Sequence, residues 1–128
     1  MRRIALVAVL LLVAAPAVSA RPAASIRVTL TAQDHHPRVG KAWHYSVVVK
    51  SASGKPVAAK VRLQILFGGF PVGQIGTHSV KNGIWRETIG TGKNPPFPAT
   101  ARGQALVFQA VVTAAGQTVK KNWPITVR

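Results

Sequence analysis

Residues 43–67 read WHYSVVVKSASGKPVAAKVRLQILF. Trp43, Tyr45, Val47 and Val49 alternate there with His44, Ser46, Val48 and Lys50. Val61, Leu63, Ile65 and Phe67 alternate in the same way with Lys60, Arg62, Gln64 and Leu66. Successive Cβ atoms leave a strand on opposite sides, so a period of two marks a strand with one face on a core. Between the two runs lies Ser51-Ala52-Ser53-Gly54-Lys55-Pro56. Gly54 accepts positive φ, and Pro56 has a fixed φ and no amide donor, so the segment reads as a turn. Two half-buried strands joined by a turn place the chain among the all-β folds.

The pattern extends in both directions. Upstream, Ser25–Ala32 sets Ile26, Val28, Leu30 and Ala32 against Arg27, Thr29 and Thr31. Downstream, Phe67-Gly68-Gly69-Phe70-Pro71 interrupts the third strand, with short strands expected over Val72–Ile75 and Thr77–Val80. Asn-Gly is the preferred pair of a two-residue hairpin, so Lys81-Asn82-Gly83 predicts that Ile84–Ile89 is a returning strand. Thr91–Gly103 holds Gly92, Asn94, Pro95, Pro96, Pro98 and Gly103 and reads as the longest loop. Ala105–Thr113 is an apolar, central strand, Ala115-Gly116-Gln117 a turn, and Thr118–Arg128 the last strand. Pro124 cannot donate to a ladder, which makes that strand an edge or bends it. Seven or eight short strands with irregular turns suit a single antiparallel β-sandwich with Greek-key connections better than an up-and-down barrel.

Ahead of these strands, MRRIALVAVLLLVAAPAVSA occupies residues 1–20. Arg2 and Arg3, the apolar run Ile4–Ala15, Pro16 and the small residues of Val18-Ser19-Ala20 have the layout of a secretory signal. The run is shorter than the roughly 20 apolar residues a spanning helix needs. The expectation is cleavage after Ala20, one domain over residues 21–128, a secreted or cell-envelope location, and membrane contact only through the transient signal.

Composition narrows the function. The chain carries 17 Lys and Arg against two acids and has a net charge of +15. Two of those cations lie in the signal, which leaves about +13 for residues 21–128. Such a field favours anionic surfaces. The chain has no cysteine, which excludes disulfide scaffolds, zinc-thiolate sites and cysteine nucleophiles.

Val39-Gly40-Lys41-Ala42-Trp43 through Ser53-Gly54-Lys55-Pro56-Val57-Ala58-Ala59-Lys60-Val61 resembles bacterial immunoglobulin-like domains, in which a Gly-Lys-Pro-Val turn often follows an alternating strand. The segment is also similar to the small exported YtkA-like sandwich domains. The resemblance implies an immunoglobulin-like sandwich with a mostly non-catalytic role, and it transfers no functional residue.

Catalytic signals are absent from the sequence. Asp34 and Glu87 are the sole acids and stand far apart in it. Paired carboxylates for acid–base work therefore need a fold contact. His78 and Ser79 are adjacent on a strand and point to opposite faces, so they make no nucleophile–base pair. There is no phosphate-binding Gly-rich loop and no cofactor motif, and the interleaved aromatics of a nucleic-acid platform are missing. Asp34-His35-His36 is the polar cluster with ligand chemistry, and copper or zinc binding there requires His44 or His78 close by. Trp43 and Trp123 are in phase with core residues. Trp85 is a ligand platform if Ile84 faces inward. If Trp85 and Ile89 face inward instead, Glu87 follows them and needs a partner such as Arg62 or Arg102. Phe97, between Pro96 and Pro98, stands on a stiff loop; it reads first as a plug at one end of the core, and its other reading makes it a second candidate binding residue.

The expectation from sequence is thus a non-catalytic exported module contacting an envelope protein or an anionic cell-surface polymer, with no cofactor and no specific nucleic acid. The alternative is a metal-handling domain built on the loop histidines.

Overall fold

The computed structural model describes residues 25–91 and 96–128. Residues 1–20, read above as the signal, lie outside the described residues. The described residues form seven strands: β1 (Ile26–Ala32), β2 (Trp43–Ser51), β3 (Ala59–Phe67), β4 (Phe70–Val80), β5 (Ile84–Ile89), β6 (Ala105–Ala114) and β7 (Gln117–Thr126), with one 3-10 turn at Ala99–Ala101. They make two antiparallel sheets, one in the order β1-β2-β5 and the other β4-β3-β6-β7. The chain crosses between the sheets after β2, β4 and β5, which gives the Greek-key path of an immunoglobulin-like sandwich.

The alternation read from sequence sets the layers. Val28, Leu30, Trp43, Tyr45, Val47, Val49 and Ile89 of the first sheet are buried against Val61, Leu63, Ile65, Phe108, Ala110, Val112 and Ile125 of the second. Trp43 anchors this core edge-to-face with Phe97 at 5.6 Å and with Phe108 at 5.2 Å between centroids. Edge-to-face contact sets the positive ring edge on the negative face of its neighbour.

Two turns depart from expectation. β4 lies in one sheet and β5 in the other, so Asn82-Gly83 makes no hairpin. A type I′ turn needs positive φ at both central residues, and here only Gly83 has it, at 70°. Gly83 serves a close approach instead: a Cβ on it would stand 2.5 Å from Val49 O, and its carbonyl accepts from Val49 N–H at 2.7 Å. The true two-residue hairpins are Gly68-Gly69 (φ 58° and 85°) between β3 and β4, and Ala115-Gly116 (φ 49° and 73°) between β6 and β7. Gly68-Gly69 therefore reverses the chain, and the two short strands expected after it are one strand, β4. Register shifts between Leu63 and Gln64 and between Ile65 and Leu66 are β-bulges that absorb the change of phase.

β7 is an edge strand, as Pro124 requires. Its open side is covered by residues 34–39. Thr126 N–H donates to His35 O at 2.8 Å, Arg128 N–H to Pro37 O at 2.9 Å, and Val39 N–H to Arg128 O at 2.9 Å. That alternation is the pattern of a parallel pair, interrupted where Pro37 has no N–H to give. It protects the edge from pairing with another chain.

Candidate functional site

Each candidate site residue named from the sequence lies among the described residues. Trp85, Glu87 and Ile89 share the inward face of β5, with Trp85 and Glu87 half-buried at the open side of the sandwich. There β5 and β4 are the edge strands of their sheets, and side chains span the gap between them. The Trp85 ring stacks on His78 of β4 with centroids 3.8 Å apart and planes 16° apart. Trp85 Nε1–H donates to Tyr45 Oη at 2.9 Å, and Tyr45 O–H donates to Glu87 Oε1 at 3.1 Å. His78 Nε2 is buried, and its nearest charged neighbour is Glu87 Oε2 at 3.5 Å. Glu87 therefore finds its partners in Tyr45 and His78, not in Arg62 or Arg102. Burial pushes the Tyr45 phenol well above the ordinary tyrosine range, against the stabilising N–H of Trp85. The cluster closes the open edge, and one face of Trp85 is taken up by His78.

Of the two readings of Phe97, the structure has the one in which it plugs the core. Its ring is fully buried against Trp43, so the proline-flanked segment plugs one end of the core. Removing an aromatic ring of that size from water is favourable, which accounts for its burial rather than its exposure on the loop.

The loop histidines are separated by their own contacts. His35 stacks on Trp123 at 4.3 Å and bonds Pro124 O through Nδ1 at 2.6 Å. His44 Nδ1 bonds Thr88 Oγ1 at 2.6 Å, and His78 belongs to the Trp85 cluster. Asp34 Oδ1 accepts from Trp43 Nε1–H at 3.0 Å and from His36 N–H at 2.9 Å. It thereby satisfies the indole of a buried tryptophan and closes an Asx turn. Among the described residues no group of three or more His, Cys, Asp or Glu is placed to hold a metal ion. His35 and His36 belong to the segment that covers the β7 edge.

With both carboxylates engaged internally, no described Lys or Arg forms an ion pair with an acid. The exposed cations are thus free to act on a partner. One group of them lies on the outer face of the four-stranded sheet. Register aligns Thr77, Arg62, Val111 and Lys120 in one row, and Lys60, Thr113 and Thr118 in the next. A hollow of about 430 Å³ lies among Lys60, Arg62, Thr77, Val111, Thr113 and Thr118. The neighbouring row is an amide chain. Gln74 Nε2 donates to Gln64 Oε1 at 3.2 Å, Gln64 Nε2 to Gln109 Oε1 at 2.7 Å, and Gln109 Nε2 to Asn122 Oδ1 at 2.8 Å. It crosses all four strands and runs in one direction. This face holds no carboxylate. Alternation showed that Lys60, Arg62 and Gln64 share a face, but their assembly with Lys120 depends on a register that sequence does not carry.

No protein-family model and no curated protein matches the chain. Among solved structures, the chain is similar to the CARDB domain of the PF1109 protein from Pyrococcus furiosus, solved in complex with di-metal ions. The identity is 17% over 81% of this chain and 93% of that one, at a TM-score of 0.49. It is also similar to the PmoD soluble domain from Methylocystis sp., at 10% identity over 82% of this chain and 92% of that one, with a TM-score of 0.45. A third is the sporulation control protein Spo0M from Bacillus subtilis, at 13% identity over 80% of this chain and 49% of that one, with a TM-score of 0.47. What the chain shares with immunoglobulin-like domains is the sandwich; nothing found narrows it to the YtkA-like family.

Proposed function

We propose that the protein is an exported, non-catalytic β-sandwich module that binds an anionic polymer of the cell envelope through the outer face of its four-stranded sheet. The observation that carries this reading is the state of the charges. A chain of net charge +15 has its two acids, Asp34 and Glu87, committed to Trp43, Tyr45 and His78. Lys60, Arg62 and Lys120 consequently project from one face with no internal counter-charge. An antiparallel sheet with one solvated face offers a row of side chains to an extended polymer. Free cations on that row supply attraction that salt screens. The signal-like residues 1–20 support an extracytoplasmic location, where such polymers are found. No helix among the described residues is long and apolar enough to cross a membrane.

The test is retention on a polyanion resin and on isolated cell wall. The triple variant Lys60→Glu, Arg62→Glu, Lys120→Glu is compared with a triple reversal of Lys50, Lys55 and Lys81, which carries the same net charge. Loss of retention confined to the first variant supports the sheet face as the site. Equal loss from both would reduce the binding to net charge and overturn the assignment to that face.

A further inference from the structure

The β3–β4 hairpin carries a feature that polyanion binding does not use. From Leu63 to Val80 this strongly basic chain contains no Lys, Arg, Asp or Glu. The hairpin also exposes Phe67 at 50%, Phe70 at 75% and Val72 at 60% of their surface. Large apolar side chains left in water beside one another mark a contact surface. The turn between the two phenylalanines is Gly68-Gly69, and a Cβ added at either would meet nothing within 4 Å. It is therefore a projecting tip. Behind it runs an apolar groove of about 440 Å³ lined by Ile65, Phe67, Val72, Pro96, Pro98 and Leu106.

We propose that this tip inserts into the surface of an anionic lipid bilayer, with Phe67, Phe70 and Val72 among the acyl chains. Charge complementarity and shape select that partner. Exposed Arg38 and Lys41 precede β2, Arg102 lies in the segment whose Gly103 N–H bonds Val127 O, and Arg128 follows β7. Strand directions put all four cations at the same end of the sandwich as the tip. The acid at that end, Asp34, is held by Trp43 and His36. An uncharged aromatic tip backed by unpaired cations matches an interface whose headgroups are anionic and whose interior is apolar. A convex tip penetrates such a surface, while the groove behind it receives acyl methylenes. The inference stands on the exposed aromatic rings and is independent of polymer binding by the sheet face.

The chain has no cysteine, so a single introduced thiol reports one site. Val72→Cys carries a polarity-sensitive fluorophore at the tip. Lys55→Cys carries it at the opposite end, in the turn beyond the Ile26–Ser51 pair. The full chain is mixed with vesicles of phosphatidylglycerol and, separately, of phosphatidylcholine. The expected result is a blue shift of the label at position 72 on phosphatidylglycerol vesicles, little on phosphatidylcholine, and none at position 55. Adding Phe67→Ser and Phe70→Ser should weaken the partitioning of the tip label at least tenfold while leaving polyanion retention unchanged. An unchanged unfolding midpoint for that variant shows that it folds. A tip label that stays aqueous on phosphatidylglycerol, even where the chain binds through residues 4–15, overturns the proposal. So does a shift that grows with protein concentration without lipid, which would make the tip a contact between copies of the chain.

Discussion

Tyr45 is the single tyrosine of the chain, and it joins the core to the polar cluster at the open edge. Its hydroxyl accepts from Trp85 and donates to Glu87. Burial raises its pKa, so the folded protein keeps the phenol protonated where the unfolded chain loses its proton, near pH 10. The folded state then binds more protons than the unfolded one, and stability falls as pH rises past about 10. Below that pH the contribution is fully present. Phenolate absorbance, which one tyrosine makes unambiguous, should stay low in the folded protein well above pH 10 and rise on unfolding. Tyr45→Phe should remove this part of the alkaline loss and cost about 1–3 kcal/mol at neutral pH, because Trp85 Nε1–H and Glu87 lose their partner. Ala115 makes the opposite case. It is the one described non-glycine residue with positive φ, at 49°, in a type I′ turn. Ala115→Gly or Ala115→Asn should raise the stability measured by denaturant unfolding by about 0.5–1 kcal/mol, since both residues adopt that conformation more readily.

At the scale of the element, the amide row shows how four strands are held in register across a solvent-facing layer. Gln64 and Gln109 are 6% and 7% exposed, whereas Gln74 and Asn122 at the ends are exposed. Gln109→Leu should destabilise by about 1–3 kcal/mol, because the buried Gln64 amide is left without an acceptor. Gln64→Leu with Gln109→Leu should cost less than the sum of the two single changes, since water satisfies the exposed end residues. Chemical denaturation of these three variants and the unaltered protein closes that cycle. Six of the seven strands follow the alternation or apolar runs of the sequence within a residue or two, because period-two patterning is local. Pairing is not local. Nothing in Lys81-Asn82-Gly83 announces that the chain changes sheet there, since the close approach of Gly83 to Val49 is made by residues far apart in sequence. β4 escaped recognition as one strand because its two bulges break the period. The candidate site residues depend on the fold in the same way: Trp85 and Phe97 are legible as aromatic, but the His78 and Trp43 rings that contact them are brought in by the fold.

For the whole molecule the governing fact is an asymmetry of charge distribution. Asp34 and Glu87 are held in intramolecular hydrogen-bond networks, whereas the described cations are spread over the surface, among them Lys60, Arg62 and Lys120 on the solvated sheet face and Arg38, Lys41, Arg102 and Arg128 at the Phe67–Phe70 end. Salt at about 0.1 M screens exposed charges beyond roughly 10 Å, so attraction of this kind is strong at low ionic strength and fades above it. The most direct test of the polymer-binding account is a salt series of the protein's affinity for isolated cell wall. Binding should be tight at low salt and fall steadily as salt rises, with a shallower dependence for the Lys60, Arg62, Lys120 reversal. Binding that is absent at low salt, or that ignores salt altogether, would contradict it.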